Sequence, residues 1–227
     1  MRLGKFREHR EHVDKMFNVP RGTCFDMVIQ LPSDIREDFD QLKRKGILSY
    51  SFEDVWPKLE IYLCLLSRWS KRVNLVSRRE LSVVATKHLR QALTMVPVVA
   101  SIPRQLVMDI GSGAGFPAIP LKIALPDSYF IFVESRRKRA HFLKEVVRSV
   151  GLDRIEVVND RIENLSPVGA DLVTARAVAS PDKLLDLVQR HLSPHGWILS
   201  TLGKDTAHSE LLAWKTDRVG STLGLFH

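Results

Sequence analysis

The sequence is poor in the features of secreted, membrane and metal-binding proteins. Among its 227 residues are two cysteines, Cys24 and Cys64. Neither has a second thiol or a histidine at metal-ligand spacing, so we expect two reduced thiols and no metal site. No apolar run is long enough to cross a bilayer, and the charged start MRLGKFREHREHVDKMF lacks the apolar segment of a secretion signal. These absences predict a cytoplasmic protein that does not span a membrane.

Negative charge is also in short supply. The chain has 34 Lys and Arg against 26 Asp and Glu, which gives a formal charge of +8. A basic balance of this kind favours polyanionic partners. With 44% hydrophobic residues, the chain is long enough to bury the core of one domain with a helical extension.

The hydrophobic pattern changes at about residue 100. Before it, Ser51 to Asp54 resembles a helix-capping start, and Tyr62, Leu65, Leu66 and Trp69 recur at helical spacing. A second stripe runs through RELSVVATKHLRQALTMV and places His88 on an apolar face, where we expect a hydrogen-bonded packing residue. We therefore predict a helical region over residues 1–100.

Strand and helix patterns alternate over residues 101–227. The predicted strands are QLVMDI, YFIFVES, IEVVND, ADLVTARAV and WILSTLG, and the predicted helices are FPAIPLKIAL, RRKRAHFLKEVVRSVG and PDKLLDLVQRHLSPHG. This alternation predicts an α/β, Rossmann-like fold with a parallel sheet between helices. Ligands of such sheets bind at the carboxyl ends of the strands.

A glycine-rich loop follows the first of these strands, in LVMDIGSGAGFPAIPL. The dinucleotide fingerprint would need a glycine where Phe116 stands, and the phosphate-binding loop would need a following Gly-Lys-Ser/Thr. Gly111, Gly113 and Gly115 have instead the spacing of methyltransferases that use S-adenosylmethionine. Those enzymes commonly carry an acidic residue for the ribose hydroxyls at the end of the second strand, where this chain has Glu134.

The absence of two motifs limits the kinds of atom that could accept the methyl group. Transfer to an exocyclic amine generally uses an Asn/Asp-Pro-Pro-aromatic turn, but this chain reads TARAVASP there, and no cysteine in the second half could attack a pyrimidine. A ring nitrogen such as guanine N7 carries no proton, so the enzyme has mainly to orient the base. We expect no general base.

Four cations stand at one predicted helix start, Arg136, Arg137, Lys138 and Arg139. The helix dipole disfavours positive charge there. Binding to an RNA phosphate backbone would offset that cost. The alternative for each of these residues is that it belongs to a solvated basic surface and binds no RNA.

These motifs resemble the glucose-inhibited division protein B family, methyltransferases that modify guanine N7 in small-subunit ribosomal RNA. The resemblance covers most of residues 65–205. It is carried by SRWSKRVNLVSRRE, MDIGSGAGFPAIPLKIALPDS, VESRRKRAHFLKEV, VVNDRIENL and ARAVASPDKLL. It implies a class I methyltransferase fold, S-adenosylmethionine as cofactor, and ribosomal RNA or the small ribosomal subunit as partner. We expect a monomer.

The resemblance and the loop together predict the site residues. The cofactor set is Asp109, Gly111, Gly113, Gly115, Phe116, Glu134, Ile162, Glu163 and Arg176. The catalytic set is Arg139, Arg176 and Lys204. The RNA-binding set is Arg136, Arg137, Lys138, Arg139 and Arg161. Asn74 and His88 match a helical-region pattern without an assigned role.

The chain departs from the family pattern at three places. Gln91 stands where an aspartate is expected, and Gly203-Lys204 replaces Lys-Gly after the fifth strand. Because little sequence follows that strand, we expect the sheet to lack its further strands and to expose an edge. Two alternatives therefore stay open: a methyltransferase for another substrate, and an inactive RNA-binding assembly factor on the same fold.

Overall fold

A computed structural model describes residues 33–76, 81–102, 106–176, 181–202, 211–216 and 222–226. Within these residues, three helices precede the first strand: α1 (Ser33–Arg44), α2 (Phe52–Ser70) and α3 (Leu81–Ser101). The predicted start of α2 is confirmed, because the Asp54 carboxylate accepts hydrogen bonds from the Ser51 main-chain N–H and hydroxyl, each at 2.7 Å. Residues 1–32, part of the predicted helical region, lie outside the described residues.

In the described part of the chain, seven strands form one sheet in the order β3-β2-β1-β4-β5-β7-β6. They are β1 (Leu106–Ile110), β2 (Tyr129–Val133), β3 (Ile155–Val158), β4 (Ala170–Ala175), β5 (Leu192–Leu202), β6 (Leu211–Thr216) and β7 (Thr222–Phe226). Strands β1 to β5 pair in parallel, which confirms the predicted α/β fold.

The expected truncated sheet is wrong. Strand β7 pairs antiparallel with β5, from Ile198 opposite Phe226 to Leu202 opposite Thr222, and β6 pairs antiparallel with β7. The last part of the chain thus returns to the sheet as a hairpin and covers the β5 edge that we expected to be exposed.

Three helices lie among the parallel strands, α4 (Ala118–Ala124), α5 (Arg137–Val150) and α6 (Pro181–Val188). The end of α5 at Gly151 follows the prediction, because that glycine has φ 67°. Helix α6 is shorter than predicted: a 3-10 turn occupies Gln189–His191, and the chain then enters β5.

The helical region shares its core with the sheet. One cluster of buried apolar residues includes Phe39 of α1, Leu66 of α2, Val96 of α3 and Phe132 of β2. None of the helices in the described part of the chain is long and apolar enough to span a membrane. Cys64 is disulfide-bonded in the structure, so the expected reduced thiol is wrong at that position.

Candidate active site

The glycine loop turns sharply after β1 because each of its three glycines has a positive φ. The angles are 63° at Gly111, 53° at Gly113 and 91° at Gly115. A Cβ on Gly115 would lie 2.6 Å from Ile119 Cγ1, so this glycine lets α4 pack closely. A Cβ on Gly113 would meet nothing closer than 3.5 Å. Gly113 is buried beside Arg139 and Glu134, whereas Gly111 is exposed, so main chain at Gly111 is open to a ligand.

Glu134 is held against the glycine loop. Its carboxylate is buried and accepts hydrogen bonds from Gly113 N at 2.9 Å and from Arg136 N at 2.7 Å. The Asn159 side chain donates to the Glu134 carbonyl at 2.8 Å. A carboxylate has about four acceptor positions, so this one is oriented by two main-chain donors and can still accept from the hydroxyls of a ribose.

Asp109 contributes a second buried carboxylate at the end of β1. Its Oδ1 accepts a hydrogen bond from Thr174 Oγ1 at 2.6 Å, whereas Oδ2 is buried and has no partner among the described residues. Burial raises the pKa of Asp109 to about 6, and Ser112, Thr174 and the positive charge of Arg176 oppose that rise. The free oxygen could accept a hydrogen bond from a cationic or N–H group of a ligand.

Phe116 lies at the centre of a ring cluster that joins the helices to the loop. Its ring centroid is 5.3 Å from that of Tyr62 and 5.6 Å from that of His88, and the Arg176 guanidinium lies 5.7 Å from the centroid. The buried Tyr62 hydroxyl donates to the Ala114 carbonyl at 2.8 Å. Helices α2 and α3 therefore form one wall of the candidate site.

His88 is a neutral group beside a charged one. Burial, and to a smaller extent the charges of Arg176 and Lys87, lower the pKa of His88 to about 4. Its Nδ1 is buried without a hydrogen-bond partner in the described part of the chain, so the expected hydrogen-bonded role is wrong for that nitrogen. Burial also lowers the pKa of Arg176, but a guanidinium remains charged at neutral pH.

The predicted RNA-binding residues lie on two segments, one after β2 and one after β3. Arg136, Arg137 and Lys138 are exposed where α5 begins, and Arg161 is exposed just before a 3-10 turn. Arg139 is half-buried and its Nη2 donates to the Asn74 carbonyl at 3.0 Å. Lys204, together with its neighbour at 203, lies outside the described residues. Gln91, the first departure from the family pattern, is buried in α3.

The segment predicted to flank adenine is held by a residue that the sequence did not reveal. Ile162 is buried and Glu163 is exposed in the 3-10 turn after β3. Arg190 Nη2 donates to the carbonyls of Ile162 at 3.3 Å, Glu163 at 2.6 Å and Leu165 at 2.8 Å, and Arg190 Nε donates to His191 Nε2 at 3.1 Å. One guanidinium thus fixes the shape of the turn.

Tyr62 and Thr174 were also missed as site residues. Tyr62 belongs to the apolar stripe of α2, and nothing local distinguishes its hydroxyl from the rest of the stripe. Thr174 is a strand residue whose register opposite Asp109 depends on pairing between β1 and β4. An inward-facing polar residue in a buried parallel strand is the signal that could have indicated Thr174.

Solved structures with the same fold include methyltransferases. A Geobacter sulfurreducens methyltransferase has a TM-score of 0.50 at 16% identity, over 87% of this chain and 91% of its own. M. jannaschii TYW2 in complex with AdoMet has a TM-score of 0.50 at 15% identity, over 68% of this chain and 76% of its own. At these identities the likeness establishes the fold alone.

Sequence relatives are more informative. The chain is 39% identical over 173 residues to a Ribosomal RNA small subunit methyltransferase G of Paramagnetospirillum magneticum, covering 76% of this chain and 80% of the relative. A Legionella pneumophila protein of the same name is 32% identical over 164 residues, covering 72% and 77%. The family model GidB, described as rRNA small subunit methyltransferase G, matches residues 56–219. The chain therefore belongs to the GidB family, as its loop and basic motifs predicted.

Proposed function

We propose that this protein transfers a methyl group from S-adenosylmethionine to N7 of a guanine in small-subunit ribosomal RNA. Membership of the GidB family supports the reaction and the RNA. The single observation of the structure that carries the proposal is the oriented Glu134 carboxylate, held by Gly113 N and Arg136 N beside a glycine loop with bare main chain.

The residues present fit the cofactor. Glu134 has acceptor positions left for two ribose hydroxyls, and the exposed main chain of Gly111 would allow close approach of the cofactor. Asp109 Oδ2 is a buried acceptor without a protein partner in the described residues, which suits an ammonium group. Ile162 and Glu163 would flank the adenine. When bound, S-adenosylmethionine supplies a methyl group on a positively charged sulfur.

The chain's own residues orient the base and exclude water. Guanine N7 carries a lone pair and no proton, so it would accept the methyl group with a neutral thioether as the leaving group, and no proton would be transferred. A general base is therefore unnecessary. In this proposal Arg139 and Arg176 position the nucleotide, the Phe116 ring covers the site, and Arg136, Arg137, Lys138 and Arg161 bind phosphates. Lys204 is a further catalytic candidate from the family pattern.

The proposal also covers the domain division, the partner and the location of the enzyme. It divides the chain into a helical region over residues 1–100 and a cofactor domain over residues 101–227. It takes ribosomal RNA, free or in the small subunit, as the partner of a cytoplasmic monomer. The basic balance of +8 supports an RNA partner.

The first test is transfer of tritium from labelled S-adenosylmethionine to small ribosomal subunits from a strain that lacks this protein. We expect label in 7-methylguanosine after nucleoside analysis. Cofactor binding without transfer would favour the inactive assembly factor, and label in another nucleoside would overturn the assignment of N7.

A matched pair of variants tests the cofactor site by calorimetry. Glu134→Ala should weaken S-adenosylmethionine binding markedly because two ribose hydrogen bonds and the anchor of the loop are lost. Glu156→Ala removes an exposed carboxylate from β3 and should leave the affinity unchanged. Equal affinities in the two variants would show that Glu134 does not bind the ribose.

A further inference from the structure

Two segments of the chain carry many cations and no acidic residue. Residues 66–76, LSRWSKRVNLV, include the end of α2 and the turn after it, with Arg68, Lys71 and Arg72. Residues 135–144, SRRKRAHFLK, include the start of α5 and hold five more Lys and Arg. Of these two segments, the family prediction used only the second for RNA.

The fold brings these segments together. The Arg139 guanidinium on α5 donates to the Asn74 carbonyl at 3.0 Å. The Trp69 ring lies 5.4 Å from the His141 ring and 5.8 Å from the Phe142 ring, measured between centroids. The end of α2 is therefore packed on the first turns of α5, and their cations share one surface.

This surface is open to solvent and borders the glycine loop. Arg68, Lys71 and Arg72 are exposed, as are Arg136, Arg137, Lys138 and Lys144. Arg139 Nη1 lies 3.7 Å from the position of a Cβ on Gly113, which links the cations to the loop. Cations grouped on one exposed surface attract a polyanion such as a phosphate backbone, and binding releases the counterions of the phosphates.

We propose that Arg68, Lys71 and Arg72 form a second phosphate-binding arm of the RNA surface, contributed by the helical region. The arm lies beside the α5 cations, so the RNA is held by two elements next to the glycine loop. This inference rests on the proposed function, since it takes the same ribosomal RNA as ligand.

The test is the salt dependence of RNA binding by a double variant, Lys71→Gln with Arg72→Gln. Binding of small-subunit ribosomal RNA would be measured by fluorescence anisotropy between 50 and 200 mM salt, a range of about fourfold. If each side chain neutralises one phosphate, the slope of log K against log salt should become shallower by about two. The loss of affinity at low salt should be about the same for every RNA sequence, because phosphate contacts do not depend on the bases.

The matched control is Arg44→Gln with Lys45→Gln, which removes the same charge from exposed positions. Lys43 Nζ lies 4.0 Å from Asp54 Oδ2 in the first turn of α2, so these cations stand near the other end of that helix. A 19-residue helix is about 28 Å long. We expect the control to keep the wild-type slope.

Several outcomes are distinguishable. A wild-type slope in the Lys71/Arg72 variant, or an equal loss in the control, would overturn the second arm while leaving the methyltransferase assignment intact. Wild-type protein that binds no ribosomal RNA would overturn the proposed function itself. Unchanged S-adenosylmethionine affinity in both variants would show that they fold, and loss of that affinity in the Lys71/Arg72 variant alone would contradict a role confined to RNA.

Discussion

The Tyr62 hydroxyl donates a hydrogen bond to the Ala114 carbonyl at 2.8 Å and thereby ties α2 to the glycine loop. The contact is buried, so the carbonyl has no alternative partner in water. The loop that would hold the cofactor is therefore positioned by the helical region as well as by the sheet.

Tyr62→Phe should loosen the loop. Loss of the hydroxyl leaves a buried carbonyl unsatisfied, which costs about 1–3 kcal/mol of unfolding free energy, and S-adenosylmethionine should bind several-fold more weakly. Tyr50→Phe is the control, because the Tyr50 hydroxyl donates at 2.8 Å to the exposed Asp127. Denaturant unfolding and calorimetry on both variants would check this, and equal cofactor affinities would contradict the role of Tyr62.

Asp109→Asn should change how stability depends on pH. The folded-state pKa of Asp109 is about 6 against an ordinary value of 3.8, so the protonated form is favoured by folding. The raised pKa therefore contributes about 3 kcal/mol to the free energy of unfolding. This contribution is fully present below pH 4 and is lost as the pH rises through 6. The melting temperature of the variant relative to wild type should therefore rise from pH 4 to pH 7.

The same variant should bind S-adenosylmethionine more weakly at pH 7, because an amide replaces the carboxylate that would face an ammonium group. A difference in melting temperature that stays flat from pH 4 to pH 7 would show that Asp109 does not titrate in that window.

Arg190→Lys should raise the KM for S-adenosylmethionine and leave kcat nearly unchanged. A lysine ammonium cannot match the planar guanidinium that reaches the carbonyls of Ile162, Glu163 and Leu165. Loss of about 1 kcal/mol of turn stability would weaken binding roughly fivefold. Arg148→Lys changes an exposed arginine that pairs with Glu145 and should have no effect. A fall in kcat with an unchanged KM would contradict a positioning role on the cofactor side.

Lys122→Met should destabilise the protein without a specific effect on the site. Lys122 is buried, and its ammonium donates at 2.7 Å to the carbonyls of Pro126 and Ser128, between α4 and β2. Removing the donor leaves both carbonyls without a hydrogen-bond partner, which lowers the free energy of unfolding by about 2–5 kcal/mol. Chemical unfolding measures the loss. Cofactor affinity of the folded fraction should match wild type, and a variant as stable as wild type would show that water satisfies these carbonyls.

The sequence predicted the parallel half of the sheet because β1 to β5 are apolar runs separated by helices, and local patterns report that arrangement. Strands β6 and β7 were missed because antiparallel pairing with β5 depends on contacts that a short run such as TLGLF does not encode alone. Helix α6 was extended too far because QRHL continues an amphipathic pattern that the chain breaks to enter β5.

Among the site residues, too, those marked by local sequence features were predicted and those that depend on distant contacts were missed. Gly111, Gly113 and Glu134 were predicted because a loop and a strand end are local features. Tyr62 and Arg190 were missed because their hydrogen-bond partners lie far away along the chain. The separation is 52 residues for Tyr62 and between 25 and 28 residues for Arg190. Only the tertiary structure brings Tyr62 to the loop and Arg190 to the turn after β3.

The shared core has a consequence for how this protein can be divided. Phe39 of α1 and Leu199 of β5 belong to one continuous cluster of buried apolar side chains. Cutting the gene at residue 100 would leave the sheet with an uncovered apolar face, so we expect the second half expressed alone to aggregate. The helices before β1 and the strands after it must then be inherited together, and a hybrid that exchanges one half between relatives would need compensating changes along their common boundary.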